Sequence, residues 1–488
     1  TLSVTAGATF DLLGSTLTVG NGATLTVGGT FAPSTSTVIL EGAVTMSAGL
    51  SFYNLQVNSS QNLSGYTVNE KLTLNGASAA LTSAPTYSTA TLQYQQGTAV
   101  TASTTEWPTS GGPDNIQVSG AGTVLTIDAD RTITDFTVDN SGSVTVSGNR
   151  TLTINGDYTN TGGTVTITDG SSVLMDAAST ISGDMTVQRT GTEFKNVFNY
   201  WSTPVSGTAY NSVWDFGSGS SQHNETDFYT FDPTAITGGD QSTGWQNITT
   251  TNTMTPGQGF AGTGRRDGSA NNLSFTGTPN NGTITFGVFD DNLGYNLVGN
   301  PYPSAIDADV FLTDNYNGGI GIITGTLWFW DVDVTKDPFV TADYATYNNT
   351  GGTGNPFGPT PTGNIASCQG FFVEATADGN VSFNNGQRIS GGNTQFFKSG
   401  SIERLWLMAT DAAQEQGDQI LIGLTDDATD QFDMGWDGPK LKGNPALSLY
   451  SKLNGDDYAI QALAPLNGQS KSVPLGLDAG KAGTYTIA

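Results

Sequence analysis

The segment GSTLTVGNGATLTVG, residues 14–28, contains the same short strand pattern twice in succession. In each copy a leucine and a valine alternate with threonines, so the apolar side chains share one face of an extended strand and the threonines the other. Glycine ends each run, which leaves a strand too short to bury an apolar face by itself. Stacked coil on coil, such strands share one continuous apolar interior. The segment therefore predicts a β-solenoid.

The same rhythm continues through residues 1–190. It returns in KLTLNG (71–76), TVLTID (123–128) and RTLTING (150–156). An alignment of residues 54–76 with 135–157 places Leu72 opposite Leu152 and Leu74 opposite Ile154. We expect these four side chains to lie in the shared interior, with Thr73 and Thr153 outside. About 20 residues per coil gives roughly nine coils and a rod on the order of 40 Å. The alternative is a pair of small sandwiches with a similar Thr-rich alternation.

A duplication is visible after residue 190, where aromatic residues become more frequent. FNYWSTP (198–204), PGQGFAG (256–262) and NLSFTG (272–277) are followed, 97, 111 and 108 residues later, by YNLVGNP, SCQGFFV and NVSFNN. Each copy also contains an aromatic strand, FYTFD (228–232) in one and LWFWD (327–331) in the other. We interpret residues 191–398 as a duplicated β unit, either two halves of one sandwich or two similar sandwiches packed together.

A third β module is predicted for residues 399–488. Its strand pattern continues to the last residues, GTYTIA, and the repeat rhythm is already present at Thr1. We therefore expect this module to be incomplete, and the natural protein to extend beyond both ends of the sequence. The expected fold class is all-β, with an N-terminal β-solenoid (β-helix) followed by β-sandwich modules.

Composition limits the partners. The 488 residues include 16 Lys and Arg against 43 Asp and Glu, which gives a formal net charge of −27. Nucleic acid and anionic lipid both require a basic face, so neither is an expected partner. No run approaches the roughly 18 apolar residues of a membrane span, so we expect no membrane insertion. The single cysteine, Cys368, cannot form an internal disulfide and is expected in the core.

Several stretches resemble a known group of proteins. YNLVGNPYPSAIDADVF (295–311), CQGFFVEA (368–375) and the long run 403–451 are similar to C-terminal regions of large cell-surface proteins of Bacteroidota that are exported by the type IX secretion system. The repeat at 52–76 resembles the β-helical repeats of adhesin-like members. The resemblance implies an outer-surface or released location, an upstream signal peptide and a downstream sorting domain that is not in these residues. Members include adhesins, enzymes and filament parts, so no catalytic residue is implied.

Candidate catalytic residues are few. His223 is the only histidine, and it lies in a polar stretch, GSSQHNETD (219–227), without a cysteine nearby in sequence. A carboxylate pair could cleave glycans, but 43 acidic residues give no means of locating one. Polysaccharide lyases on solenoids commonly use Lys or Arg, and residues 1–190 offer only Lys71, Arg131, Arg150 and Arg189. We expect no enzyme activity.

Two candidate binding sites remain. The loop DDATDQFDMGWDG (426–438) contains five aspartates, Asp426, Asp427, Asp430, Asp433 and Asp437, whose oxygens are the ligands that Ca²⁺ prefers. A solvated turn is the alternative, since the spacing is not that of an EF-hand. In LWFWD, Trp328 and Trp330 share one strand face and would stack on sugar rings if exposed, or form a sandwich core if buried.

Together these observations predict a secreted, non-catalytic adhesin or structural stalk at the outer cell surface. The alternatives are a subunit of an extracellular filament or sheath and a polysaccharide-active enzyme on a β-helix scaffold. Expected partners are glycans or surface proteins, copies of the chain itself, and the type IX machinery during export. Calcium is the one candidate cofactor.

Overall fold

A computed structural model of the chain describes residues 1–191, 197–331, 343–356, 360–361, 363–393 and 402–488. The fold is all-β, with 49% of residues in strands and 6% in helices, and the predicted β-solenoid followed by β-sandwich modules is confirmed. Contacts divide the chain into two compact units, Thr1–Thr186 and Val187–Ala488. The domain boundary predicted near residue 398 lies outside the described residues.

The first unit is a β-solenoid of about nine turns. Its largest sheet, the long sheet, is built from parallel strands whose paired residues are 16 to 24 positions apart in sequence, one strand from each coil. In spatial order these strands are Thr16–Val19, Thr37–Leu40, Ser51–Val57, Thr67–Asn75, Thr91–Gln95, Asn115–Val118, Phe136–Asp139, Tyr158–Thr161 and Ile181–Ser182, with Thr86–Tyr87 also beside Thr67–Asn75.

Smaller parallel ladders complete the coils. Three of them contain the strands Leu2–Val4, Thr24–Val27 and Thr45–Met46; Thr9–Asp11 and Thr30–Ala32; and Ser60–Asn62 and Ala80–Ser83. Two more contain Ala99–Thr101, Val124–Ile127, Ser143–Val146 and Thr164–Ile167; and Arg131–Ile133, Thr151–Ile154 and Ser172–Met175. The chain passes from the first unit into the second within the strand Met185–Gly191.

Apolar side chains stack in register through the interior of the long sheet. One such stack, the inner ladder, consists of Leu17, Val38, Leu55, Leu72, Leu92, Ile116, Phe136 and Tyr158. All members after Leu17 are at most 1% exposed. Burying one such side chain contributes about 1.5–3 kcal/mol. The stacked side chains therefore provide a stabilising free energy of burial that a single four-residue strand could not provide alone.

The four interior residues predicted from the repeat are buried, since Leu72, Leu74, Leu152 and Ile154 are at most 2% exposed. They do not occupy equivalent coil positions, however. Leu72 and Leu74 lie on the long sheet, whereas Leu152 and Ile154 lie on the ladder of Arg131–Ile133. The coil from Asn54 to Lys71 is 17 residues long and the coil from Phe136 to Tyr158 is 22, so the longer coil has room for a further strand.

Of the two outward threonines, Thr153 is half-buried and Thr73 is only 8% exposed. The Thr73 hydroxyl donates to Gln93 Oε1 on the next strand at 3.0 Å. A neighbouring side chain therefore covers a residue that lies on the outer face.

The second unit contains two segments with the same antiparallel strand order. In the first repeat (198–279) the sheet runs Phe198–Trp201, Phe260–Thr263, Phe228–Phe231, Trp245–Asn247. In the second repeat (295–389) it runs Tyr295–Gly299, Gly370–Ala375, Ile323–Asp331, Asp343–Asn348, and Gly351–Thr353 follows. Registers also agree: Trp201 pairs with Phe260 as Val298 pairs with Phe371, and Phe231 pairs with Trp245 as Trp330 pairs with Tyr344. Equal order and register are what a duplication requires.

Each repeat covers its sheet with a helix and one large aromatic ring. In the first repeat the helix is Tyr210–Val213, and the Trp214 ring lies 5.4 Å from Phe260 and 5.5 Å from Phe275. In the second repeat the helix is Ala308–Asn315, and the Phe311 ring lies 5.5 Å from Phe371 and 5.1 Å from Phe383. The two cores are therefore built on matching positions.

The repeats contact each other reciprocally. Ser202 N donates to Cys368 O at 2.8 Å, and the corresponding Gly299 N donates to Gly257 O at 3.0 Å. Isolated bridges join Trp201 to Gln369 and Gln258 to Val298 in the same way. Such exchanged contacts are typical of a two-fold interface, here within one chain. Cys368 is buried, as predicted.

The C-terminal sheet has the spatial order Leu475–Ala479, Leu447–Leu453, Asp456–Leu463, Gly417–Leu424, Glu403–Asp411, Tyr485–Ile487, with Gly438–Pro439 beside Asp456–Leu463. Its core includes Ile420, Leu447 and Leu449. The remaining strands of the second unit are Val205–Ser206, Asn271–Pro279, Ile284–Val288, Ala305–Asp307, Asn364–Ile365, Gly379–Phe383 and Arg388–Ile389. Short 3-10 helices are Glu225–Asp227, Pro233–Ala235, Gln241–Gly244, Asn317–Gly319 and Asn385–Gln387. Among the described residues, every helix is too short or too polar to cross a membrane.

Candidate functional site

The aspartate loop (426–438) is organised by two of its own carboxylates. Asp437 is 1% exposed, and its two oxygens accept hydrogen bonds from Asp433 N and Ala462 N, each at 2.7 Å. Burial raises the pKa of Asp437 to about 7, although the two N–H donors act in the opposite direction. The Asp433 carboxylate accepts from Thr429 N at 2.5 Å and from Thr429 Oγ1 at 2.9 Å. These two residues close turns in the loop.

The other three aspartates point elsewhere. Asp430 forms an ion pair with Lys471, and Asp426 and Asp427 are exposed. Within the part of the chain that the structure describes, no three His, Cys, Asp or Glu side chains are grouped so that they could hold a metal ion. Calcium binding by all five aspartates stays a prediction, and in this conformation they do not form one cluster.

The loop is fixed against the second repeat. Trp436 O accepts hydrogen bonds from Asn348 Nδ2 at 3.0 Å and from Thr350 Oγ1 at 2.6 Å. The Tyr316 hydroxyl, just after the helix Ala308–Asn315, donates to Met434 O at 2.5 Å. Gly435 has φ +82, and a Cβ there would lie 2.4 Å from the Tyr316 ring. Only glycine fits at this position, so the ring and the loop backbone are in close contact.

A cleft of about 360 Å³ lies where these segments meet. We call it the loop cleft, and the described residues that line it are Thr313, Tyr316, Asn317, Gly318, Asn349, Asp427 and Trp436. Asn317 and Asp427 are exposed, and Trp436 and Asn349 are half-buried. The sequence drew attention to Asp427 only as a candidate calcium ligand. The sequence did not predict the cleft, because residues 313–317 and 349 are far along the chain from the aspartate loop.

The two tryptophans proposed to bind glycans lie between the repeats. Trp328 is fully buried, and its indole N–H donates to Pro439 O at 3.2 Å. Trp330 is half-buried and stacks on Tyr200 at 5.9 Å, with Tyr344 at 5.1 Å. The opposite face of this strand contributes Phe329 to the core of the second repeat. The structure therefore places both tryptophans in aromatic packing, and Trp328 has no surface on which a sugar could stack.

His223 is buried, although its sequence context is polar. Its Nε2 lies 2.9 Å from Asn271 Oδ1, and the rings of Phe216 and Phe228 are at 6.4 and 6.2 Å. Burial lowers the pKa of His223, because the charged imidazolium loses its hydration. A hydrogen-bonded core histidine accounts for this position.

A family model described as a domain of unknown function, DUF8693, matches residues 102–488 of this chain, which is well over half of it. No curated protein and no solved structure is significantly similar to the chain.

Proposed function

The chain belongs to the DUF8693 family of unknown function, and we propose that it is a secreted cell-surface adhesin or structural stalk protein and not an enzyme. Glycans or other surface proteins are its proposed partners.

The observation that supports this proposal is the in-register stack of the long sheet. Its strands Thr16–Val19 to Ile181–Ser182 are parallel neighbours, and the inner ladder fills the space beneath them. Bending such a stack would break backbone hydrogen bonds and apolar contacts together. Nine strands at ~4.8 Å span on the order of 40 Å. A stiff element of this kind suits a spacer.

The outer face of the long sheet supports an extracellular role. It is joined by hydrogen bonds between side chains of successive coils, for example Thr73 Oγ1 to Gln93 Oε1 at 3.0 Å and Gln93 Nε2 to Ser119 Oγ at 2.8 Å. Hydrogen bonds that involve an uncharged partner depend less on ionic strength than exposed ion pairs. Such a face tolerates the variable salt outside a cell.

Export by the type IX machinery and location at the outer surface belong to the same proposal and rest on the resemblance of residues 403–451. The test is labelling of intact, unpermeabilised cells of the source organism with antibodies against the chain. Surface labelling or protein in the medium is expected. Recovery only from the cytosol would contradict the proposal.

Adhesion is tested with beads coated with the whole chain and passed under flow over cells, glycans and matrix proteins. Retention on at least one surface, above that of beads coated with albumin, is the expected result. Electron microscopy and sugar-release assays of the same preparation address the alternatives. Ordered polymers would favour a filament subunit, and release of reducing or unsaturated sugars would favour an enzyme.

A further inference from the structure

We propose that the loop cleft is a binding site for an uncharged glycan. This inference rests on the proposed adhesin function and gives it a ligand class. It places the site at Trp436, Asn317, Asn349 and Asp427, and not at the buried Trp328 or at Trp330.

The size of the cleft fits a small part of a glycan chain. Its volume of about 360 Å³ is at the lower end of the range of known ligand pockets, roughly 300–1,000 Å³. That space accommodates one or two sugar rings, with the rest of an oligosaccharide in solvent.

Trp436 supplies an apolar surface in the cleft. A pyranose ring has C–H groups on its faces, and these pack on aromatic rings whose faces are electron-rich. The backbone of Trp436 is held by Asn348 and Thr350, and its loop is held by Tyr316. Binding therefore requires little ordering of the loop, which reduces its entropic cost.

The polar side chains of the cleft are available for sugar hydroxyls. Among the described residues, the side chains of Asn317, Asn349 and Asp427 have no hydrogen-bond partner, and Asn317 and Asp427 are exposed. An amide both donates and accepts and a carboxylate accepts, which matches hydroxyl groups that do both. In the same loop, the carboxylates of Asp433 and Asp437 accept hydrogen bonds from backbone N–H groups, and Asp427 is the aspartate of the loop that lines the cleft among the described residues.

Charge selects among glycans. Among the residues that the structure describes, the cleft is lined by one acidic residue, Asp427, and by no lysine or arginine. The chain as a whole carries −27. Uronic, sialylated or sulfated sugars would meet like charge without a compensating cation. Neutral sugars avoid this repulsion.

The experiment titrates the whole chain with neutral oligosaccharides of glucose, mannose, galactose and xylose, and with alginate and hyaluronan oligosaccharides as acidic probes. Calorimetry measures affinity, and tryptophan fluorescence reports on the site. At least one neutral oligosaccharide should bind, and the acidic ones should not. Trp436→Ala should weaken binding by about tenfold or more, and Asp427→Asn by about threefold to tenfold, as expected for one ring contact and one hydrogen bond.

Asp426→Asn is the matched control, because Asp426 is also exposed and adjacent but does not line the cleft. It should leave affinity unchanged within a factor of two. Trp436→Phe keeps a ring and should retain weakened binding while losing the fluorescence change. The melting temperature of each variant shows whether a loss of binding is caused by destabilisation of the protein.

The inference is overturned if no neutral oligosaccharide binds, if acidic ones bind equally well, or if Asp427→Asn and Trp436→Ala bind like Asp426→Asn. Retention of coated beads under flow tests the adhesin proposal separately from sugar binding at the loop cleft. If wild type and Asp427→Asn are retained equally, the protein is an adhesin that binds through another site, and the proposal for the loop cleft is wrong. Sugar binding in solution without retention on any surface would support the glycan site in the loop cleft but contradict the adhesin proposal.

Discussion

At the scale of single residues, burial rather than residue type decides what the polar side chains do. His223 lies in a polar stretch of sequence yet is fully buried beside Phe216 and Phe228. Asp437 is one of five aspartates that lie close together in sequence, yet it is buried and its carboxylate accepts hydrogen bonds from the backbone N–H groups of Asp433 and Ala462. In both cases the side chain replaces water as the partner of a buried group.

His223 predicts a pH dependence of stability. Its pKa is lowered in the folded chain, so the unfolded chain binds the proton more readily. The free energy of unfolding should therefore fall as pH drops below the ordinary histidine value of about 6.5, by up to about 1.4 kcal/mol per pH unit. His223→Gln should lack this contribution. Urea denaturation of both proteins between pH 7.5 and 5 measures it, and a constant difference between them would contradict the assignment.

At the scale of elements, the strands are stable only as members of a stack. Leu152 is fully buried on the strand Thr151–Ile154, which pairs in register with the coils before and after it. The same dependence appears in the second unit, where Trp214 and Phe311 fill matching core positions over the sheets of the two repeats. Each element contributes apolar side chains that are buried only when its neighbour packs against them.

The stacked coils predict that substitutions on the inner and outer faces of a strand change the free energy of unfolding by different amounts. Leu152→Ala should lower the free energy of unfolding by about 2–5 kcal/mol, because it leaves a cavity between coils. Thr153→Ala, on the half-buried outer side of the same strand, should cost less than about 1 kcal/mol. Hydrogen exchange of peptides from residues 131–175 localises the effect. Equal costs at both positions would contradict a shared interior at this strand.

At the scale of the whole molecule, net charge is the dominant electrostatic property. A charge of −27 repels itself in the compact state, and ion pairs of Lys440, Lys442, Lys452 and Lys471 with aspartates oppose this repulsion in the C-terminal sheet and the loops beside it. We expect the same charge to repel nucleic acid and anionic surfaces.

Salt should stabilise the protein at neutral pH. Raising the ionic strength from 10 to 150 mM shortens the screening length from about 30 Å to about 8 Å and weakens the self-repulsion. The melting temperature at pH 7 should rise, and near the sequence pI of 4.1 the change should be much smaller. Calorimetry at both pH values measures this. A melting temperature that falls with salt at pH 7 would show that ion pairs outweigh the net charge.

The sequence by itself determined the features that depend on neighbours along the chain. Alternating leucine and threonine set the strand faces, glycine set the turns, and spaced phrases such as FNYWSTP and YNLVGNP revealed the duplication. Only the tertiary structure decided which distant segments meet. It buried His223, covered Thr73 with Gln93, placed Leu72 and Leu152 on different sheets, and brought Asn317 and Asn349 to Trp436. Alternation is a local property of the backbone, whereas burial and clefts depend on coil lengths and on contacts between segments that no local pattern encodes.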